Sequence, residues 1–171
     1  MPPADPVYFY RSAHPFSNFH PSVFTVDGLT FYTAEQYIMD RQALTFGDEA
    51  SAERILAARD PGECKKLGRR VRTYDDAIWA VVREAVAYDA CFHKFAQNPR
   101  LRDVLLATGD ALLVEASPSD AIWGIRFSEQ DAPASCHQWG QNLLGQALMR
   151  VRDTLRAGSD VNPASAPLTA S

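Results

Sequence analysis

The stretch FYTAEQY, Phe31 to Tyr37, sets one carboxylate, Glu35, among aromatic side chains. Three readings of that residue are open. At a helix start its charge would meet the positive end of the macrodipole. In a core it would be a satisfied buried acid. In an apolar pocket its pKa would rise, and it could activate water or stabilise a cationic, sugar-like transition state. A second carboxylate stands in SDAIWG, where Asp120 precedes Trp123 by three positions on an expected loop. Trp123 is either core or a flat platform on which a base can stack. Gly124 would let the backbone approach a ligand closely.

Cationic residues gather in KKLGRRVR, Lys65 to Arg72. Such a run is commonly a solvated face; as a phosphate clamp, its best-placed member is Arg69, which follows Gly68. In HPFSNF, Ser17 and Asn18, followed by Phe19, can close local turns or point polar groups at a ribose or a base. In HQWGQNLLGQALMRVR, Asn142 is expected to cap the last helix, whose N-terminus could attract phosphate. Gly145 inside that helix costs about 1 kcal/mol relative to Ala, which implies close packing or close ligand approach. His14, His20, His93 and His137 show no metal-like spacing. Cys136 and His137 are adjacent, and adjacent residues rarely orient as nucleophile and base.

The elements that must hold these groups are legible in outline. Val7 to Tyr10 reads as a strand, and Val23 to Val26, Asp27-Gly28 and Leu29 to Phe31 read as a hairpin. Thr33 can cap a helix running to about Leu44. Further helices are expected over Asp48 to Ala58, Asp60 to Gly68, Tyr74 to Ala96, Asn98 to Leu106 and Asn142 to Leu155. In the longest, Ile78, Val82, Ala85, Asp89, Phe92 and Phe95 are spaced by three or four, and most of them define the expected apolar stripe. Leu112 to Glu115 is a short strand, and Ser117 to Gln141 a long loop of the kind that often carries function. Residues 1–6 and 157–171 are expected to be disordered.

A chain of 171 residues, 46% hydrophobic and 22% charged, suits one globular domain. The fold class is therefore α+β, mostly helical, with a small sheet of short strands. Neither βαβ alternation nor a GxGxxG motif is present, which argues against a Rossmann fold. A net charge of −4 argues against wholesale binding to nucleic acid but leaves room for a local phosphate-binding patch. Three cysteines without a CxxC pair give no disulfide framework and no metal signal. With no signal-peptide pattern and no long apolar run, a soluble, cytoplasmic protein is expected.

The ordered series FY (Phe9, Tyr10), PFSNF, DG, AEQY, KKLGR, a helix bearing Trp79, SDAIWG and WGQNLLGQALMRVR resembles the NADAR family, also called YbiA-like, over roughly residues 7–156. The resemblance implies hydrolysis of an N-glycosidic bond with no metal or redox cofactor. Its implied substrates are ADP-ribosylated guanine in DNA, RNA or nucleotide, or early riboflavin-pathway ribosylaminopyrimidine phosphates. It also implies that Glu35 and Asp120 are catalytic and that Trp123, Asn142 and Gly145 belong to the site. In the mechanism this suggests, the base stacks on Trp123 and Trp79, and phosphates meet Arg69, Arg126 or the last helix's N-terminus. Two positions depart from the family pattern. Gln42 stands where lysine is expected, and Arg126 where many relatives carry glycine. The rival readings are a module that binds ADP-ribose or nucleotide without cleaving it, and a structural interaction domain.

Overall fold

The computed structural model describes residues 4–158. In chain order the elements are β1 (Val7–Phe9), β2 (Phe24–Val26), β3 (Leu29–Phe31), α1 (Ala34–Thr45), α2 (Glu49–Ala57), α3 (Pro61–Gly68), α4 (Asp76–Gln97), α5 (Pro99–Ala107), β4 (Leu113–Glu115), a short 3-10 helix (Pro133–Gln138) and α6 (Leu143–Arg156). The mostly helical α+β class stands. The expected tail beyond Gly158 lies outside the described residues, as do residues 1–3. Ala157 and Gly158 close α6 by donating to the carbonyls of Asp153 and Leu155.

Local chemistry sets most helix starts. The Thr33 hydroxyl accepts from the Gln36 N–H at 3.2 Å, and the Asp60 carboxylate accepts from the Glu63 N–H at 2.8 Å, ahead of Pro61. Asp75 accepts from the N–H groups of Ala77 and Ile78, so α4 begins at Asp76 rather than Tyr74. Asp27 and Gly28 take positive φ angles of 50° and 79°, which turns β2 back antiparallel onto β3.

Three expectations need correction. The strands form two separate two-stranded sheets, because β1 pairs in parallel with β4, more than a hundred residues away, and not with the β2–β3 hairpin. The loop from Ser117 to Gln141 contains the 3-10 helix, started by Pro133. The buried face of α4 matches the expected stripe only in part, since Phe92 and Phe95 are core and Val82 packs against it. Ile78 is 51% exposed and Ala85 is exposed, while Trp79, Arg83, Ala87, Ala90, Cys91 and Lys94 turn inward. Two cationic side chains on that face disguise it from a reading of hydrophobicity.

Helix α4 is the hub. One side packs with α5, α6, β1 and β4 around Phe9, Phe95, Leu144 and Leu148; the other meets α1 and the hairpin around Phe24, Phe31 and Ile38. Helices α1, α2 and α3 close a third cluster around Ile55 and Cys64. The buried Lys94 ammonium donates to the Ser17 carbonyl at 2.9 Å and so fastens the HPFSNF loop to α4.

Candidate active site

Helix α1 presents Glu35 inward. Because Thr33 does the capping, the carboxylate is not needed at the helix end. The Glu35 N–H donates to the Asn18 carbonyl at 2.9 Å, which seats the HPFSNF loop on the first turn. Gln36 locks the same turn: its amide oxygen accepts from the Tyr32 N–H at 2.8 Å, and its NH2 donates to the Ala58 carbonyl at 2.7 Å. Glu35 is 7% exposed. Burial pushes its pKa up to about 7, with Lys65 and Arg69 pulling against that rise and Asp120 adding to it.

A second carboxylate, Glu115, comes from the end of β4. Its Cα pairs with Phe9, its carbonyl accepts from the Ile125 N–H at 3.0 Å, and its N–H donates to the Asn142 side-chain oxygen at 3.0 Å. Asn142 also donates its NH2 to the Leu113 carbonyl at 2.9 Å. One buried amide therefore ties α6 to β4 and sets Glu115. The Oε2 of Glu115 is buried without a hydrogen-bond partner. Burial pushes this carboxyl to about 7 as well; Asp120 and Glu35 raise it and Lys65 opposes them.

Asp120 shapes the WG loop. One carboxylate oxygen accepts from the N–H groups of Ile122 and Trp123, both at 2.8 Å, and its carbonyl accepts from the Arg126 N–H. Gly124 lies where a Cβ would come within 2.8 Å of the Glu115 carbonyl, so the loop presses directly onto β4.

These groups share one cavity of about 670 Å³, also lined by Trp79, Trp123, Lys65 and Arg83. Of the residues nominated from the sequence, Ser17, Phe19, Glu35, Arg69, Trp79, Asp120 and Trp123 line it. Asn18, Gly124, Arg126, Asn142 and Gly145 stand behind or beside it. Asn18 acts through its carbonyl on α1. Arg126 is exposed at φ 70°, a conformation suited to the glycine found in relatives. Gly145 admits the backbone of β4, because a Cβ there would collide with the Leu113 carbonyl. Asn142 takes φ 51° at the start of α6 but makes no side-chain cap. The N-terminus of α6 is not a phosphate site: the N–H groups of Asn142, Leu143 and Leu144 already donate to the carbonyls of Gly124, Ile122 and Trp123. Cys136 and His137 are exposed and outside the cavity.

Sequence reasoning missed Glu115 and Arg83, and within the cationic run it preferred Arg69 to Lys65. The signal for Glu115 was a lone acid closing the apolar run LLVEAS. Arg83 follows Trp79 by four residues on one helix face. It is 8% exposed, its Nε is buried without a partner, and its ion pair with Asp76 is long at 3.8 Å. Lys65 sits 5.6 Å from the centre of the Phe19 ring. Gln42, at the position where lysine was expected, donates to the Gly68 carbonyl at 2.9 Å and so holds the end of α3. Lys65, one turn back on α3, is the leading cation acting on Glu35. Among the described residues no group of three or more His, Cys, Asp or Glu side chains is placed to hold a metal ion.

A family model described as the NADAR domain matches residues 8–156. The chain belongs to the NADAR family. N-glycosidase R617 of Acanthamoeba polyphaga mimivirus is 42% identical over 125 residues, covering 72% of this chain and 74% of that protein. N-glycosidase YbiA of Escherichia coli is 37% identical over 140 residues, covering 82% of this chain and 80% of its own. The NMR structure of E. coli YbiA superposes with a TM-score of 0.75 at 34% identity, over 92% of this chain and 89% of that one. The riboflavin biosynthesis protein VVA0006 of Vibrio vulnificus is 35% identical over 92% of this NADAR chain, which spans 40% of that longer protein.

Proposed function

We propose that this chain hydrolyses the N-glycosidic bond between a ribose and a heterocyclic base in a phosphorylated substrate, and that its first substrate is ADP-ribosylated guanine in a nucleic acid or nucleotide. The observation that carries the reading is a buried carboxylate, Glu35, in a cavity of nucleotide size walled by two tryptophans. The relatives named N-glycosidase support the reaction class.

The chemistry follows from the residues. Trp79 and Trp123 offer faces for the base. Lys65, Arg69 and Arg83 offer donors to phosphate, and the unpartnered Nε makes Arg83 the best prepared. The cavity carries four cationic residues (Arg11, Lys65, Arg69, Arg83) and four acidic ones (Glu35, Asp76, Glu115, Asp120). Protonation of either glutamate leaves it net positive, which suits an anionic substrate. As the C1′–N bond breaks, its electron pair leaves with the base and positive charge develops on the ribose. Ionised Glu35 stabilises that charge more in the transition state than in the ground state, which accelerates the step. It then accepts a proton from the water that adds to C1′. A carboxyl near pH 7 is well matched to that task.

A second reading, clearance of ribosylaminopyrimidine phosphates, draws on the name of the Vibrio relative and on the net charge of −4, which offers duplex nucleic acid no broad attraction. A flipped or single-stranded base needs only a local patch. The test is a product assay with wild type and Glu35→Gln on both substrates. Release of ADP-ribose from a modified oligonucleotide, lost in the variant, supports the first reading; cleavage of the pyrimidine alone supports the second. Saturable ADP-ribose binding without any product would make the domain a binding module and overturn both.

A further inference from the structure

We propose that Glu115 is the general acid of this site, delivering a proton to the departing base while Glu35 handles the water. The proposal rests on the N-glycosidase reading and names a residue that reading leaves unused. A departing base needs a proton on the nitrogen that inherits the bonding electrons. The donor must reach the cavity, hold a proton near neutral pH and have an oxygen not already committed.

Asp120 meets these requirements less well than Glu115. One of its oxygens is engaged by two backbone N–H groups, and its position is dictated by the turn it builds. Glu115 lines the same cavity with Oε2 buried and unpartnered, on a backbone clamped from three sides by Phe9, Asn142 and Ile125. That combination is a rigid mount with an uncommitted tip.

The surroundings divide the labour between the two glutamates. Glu35 on α1 feels two cations, Lys65 of α3 and Arg69 just beyond its end, both favouring its ionised form, with Asp120 opposing them. Among the charges acting on Glu115, Lys65 alone is cationic, and it is opposed by Asp120 and Glu35. The neighbours on β1 and α6, Phe9 and Asn142, are uncharged. On the α4 side, Cys91 is a neutral thiol pushed up to about 12 by burial, while Arg83 and Asp76 line the cavity as a long ion pair. Arg11, from the loop after β1, is exposed at the rim. In the proposed division of labour Glu35, with the added cation Arg69 beside it, works as the carboxylate, and Glu115, whose Oε2 accepts no hydrogen bond, carries the proton for the base.

The experiment compares wild type, Glu115→Gln and Glu115→Asp on two substrates. One carries the natural base, and the other a 4-nitrophenolate leaving group on the same ribose phosphate, which departs without protonation. Glu115→Gln is expected to lower kcat on the base substrate by about 10²- to 10⁴-fold and on the aryl substrate by less than about tenfold. The alkaline limb of its pH–rate profile should disappear, and Glu115→Asp should restore it. Equal losses on both substrates, or an alkaline limb that survives in Glu115→Gln, would overturn the proposal. If wild type cleaves neither substrate, the N-glycosidase reading fails before any variant is made, and the acid role falls with it. A readout independent of turnover is the protonated-carboxyl infrared band of wild type labelled with 13C-glutamate. Loss of that band between pH 4 and 5, with nothing titrating near 7, would also overturn the assignment.

Discussion

Replacing Asn142 by alanine separates a ligand-binding role from a positioning one. Its side chain accepts from the Glu115 N–H at 3.0 Å and donates to the Leu113 carbonyl at 2.9 Å. Truncation strands both backbone groups in the interior, at about 1–3 kcal/mol each. The left-handed backbone, φ 51°, adds about 1 kcal/mol because alanine tolerates it less well than asparagine. The expected loss is roughly 3–7 kcal/mol, a large share of the 5–15 kcal/mol typical of a domain. Asn142→Gly relieves the backbone but not the stranded groups, so it should recover only about 1 kcal/mol. Urea unfolding at constant m-value measures both differences. The reasoning is refuted if Asn142→Ala unfolds within about 0.5 kcal/mol of wild type, a margin usual for an innocuous surface change. In that event any loss of activity would make Asn142 a substrate contact after all.

The remaining predictions concern charge. Glu35 titrates near 7 in the folded chain against 4.5 unfolded. Between those values the folded state holds a proton the unfolded state has lost, so stability falls as pH rises from about 4.5 to 7, by roughly 3 kcal/mol from this residue, and is level above. Glu35→Gln should flatten that part of the urea-midpoint profile; an unchanged slope would show that Glu35 is not buried as described. Lys65→Met removes the leading cation opposing the rise in Glu35, so the acid limb of the pH–rate profile should move to higher pH, and a limb that stays or moves down would refute the pairing. Arg83→Met should raise KM for a phosphorylated substrate about ten- to a hundredfold while leaving an unphosphorylated riboside unchanged, as steady-state kinetics on the pair would show; equal effects on both would argue for a structural role.

Local signals were sufficient for much of the scaffold. Thr33, Asp60-Pro61 and Asp27-Gly28 each specify a cap or a turn through atoms only a few residues apart, so α1, α3 and the hairpin were readable from spacing. The family resemblance pointed to Glu35, Asp120 and Trp123, and the folded chain brings all three to one cavity. The protonation of Glu35 was not readable, because desolvation depends on what packs around it and spacing alone allowed a simple helix-end charge. The buried face of α4 escaped for a related reason: an arginine and a lysine lie on it, and only Asp76 near the first and the Ser17 carbonyl on the second show why they can stay. Glu115 needed the most tertiary information. Its place depends on β1 pairing with β4 across the whole domain and on Asn142 bridging from α6, contacts between segments with no sequence proximity. Sequence by itself determined the elements and nominated the first carboxylate; the tertiary structure decided which groups share the cavity, because burial and long-range hydrogen bonds exist only once the segments meet.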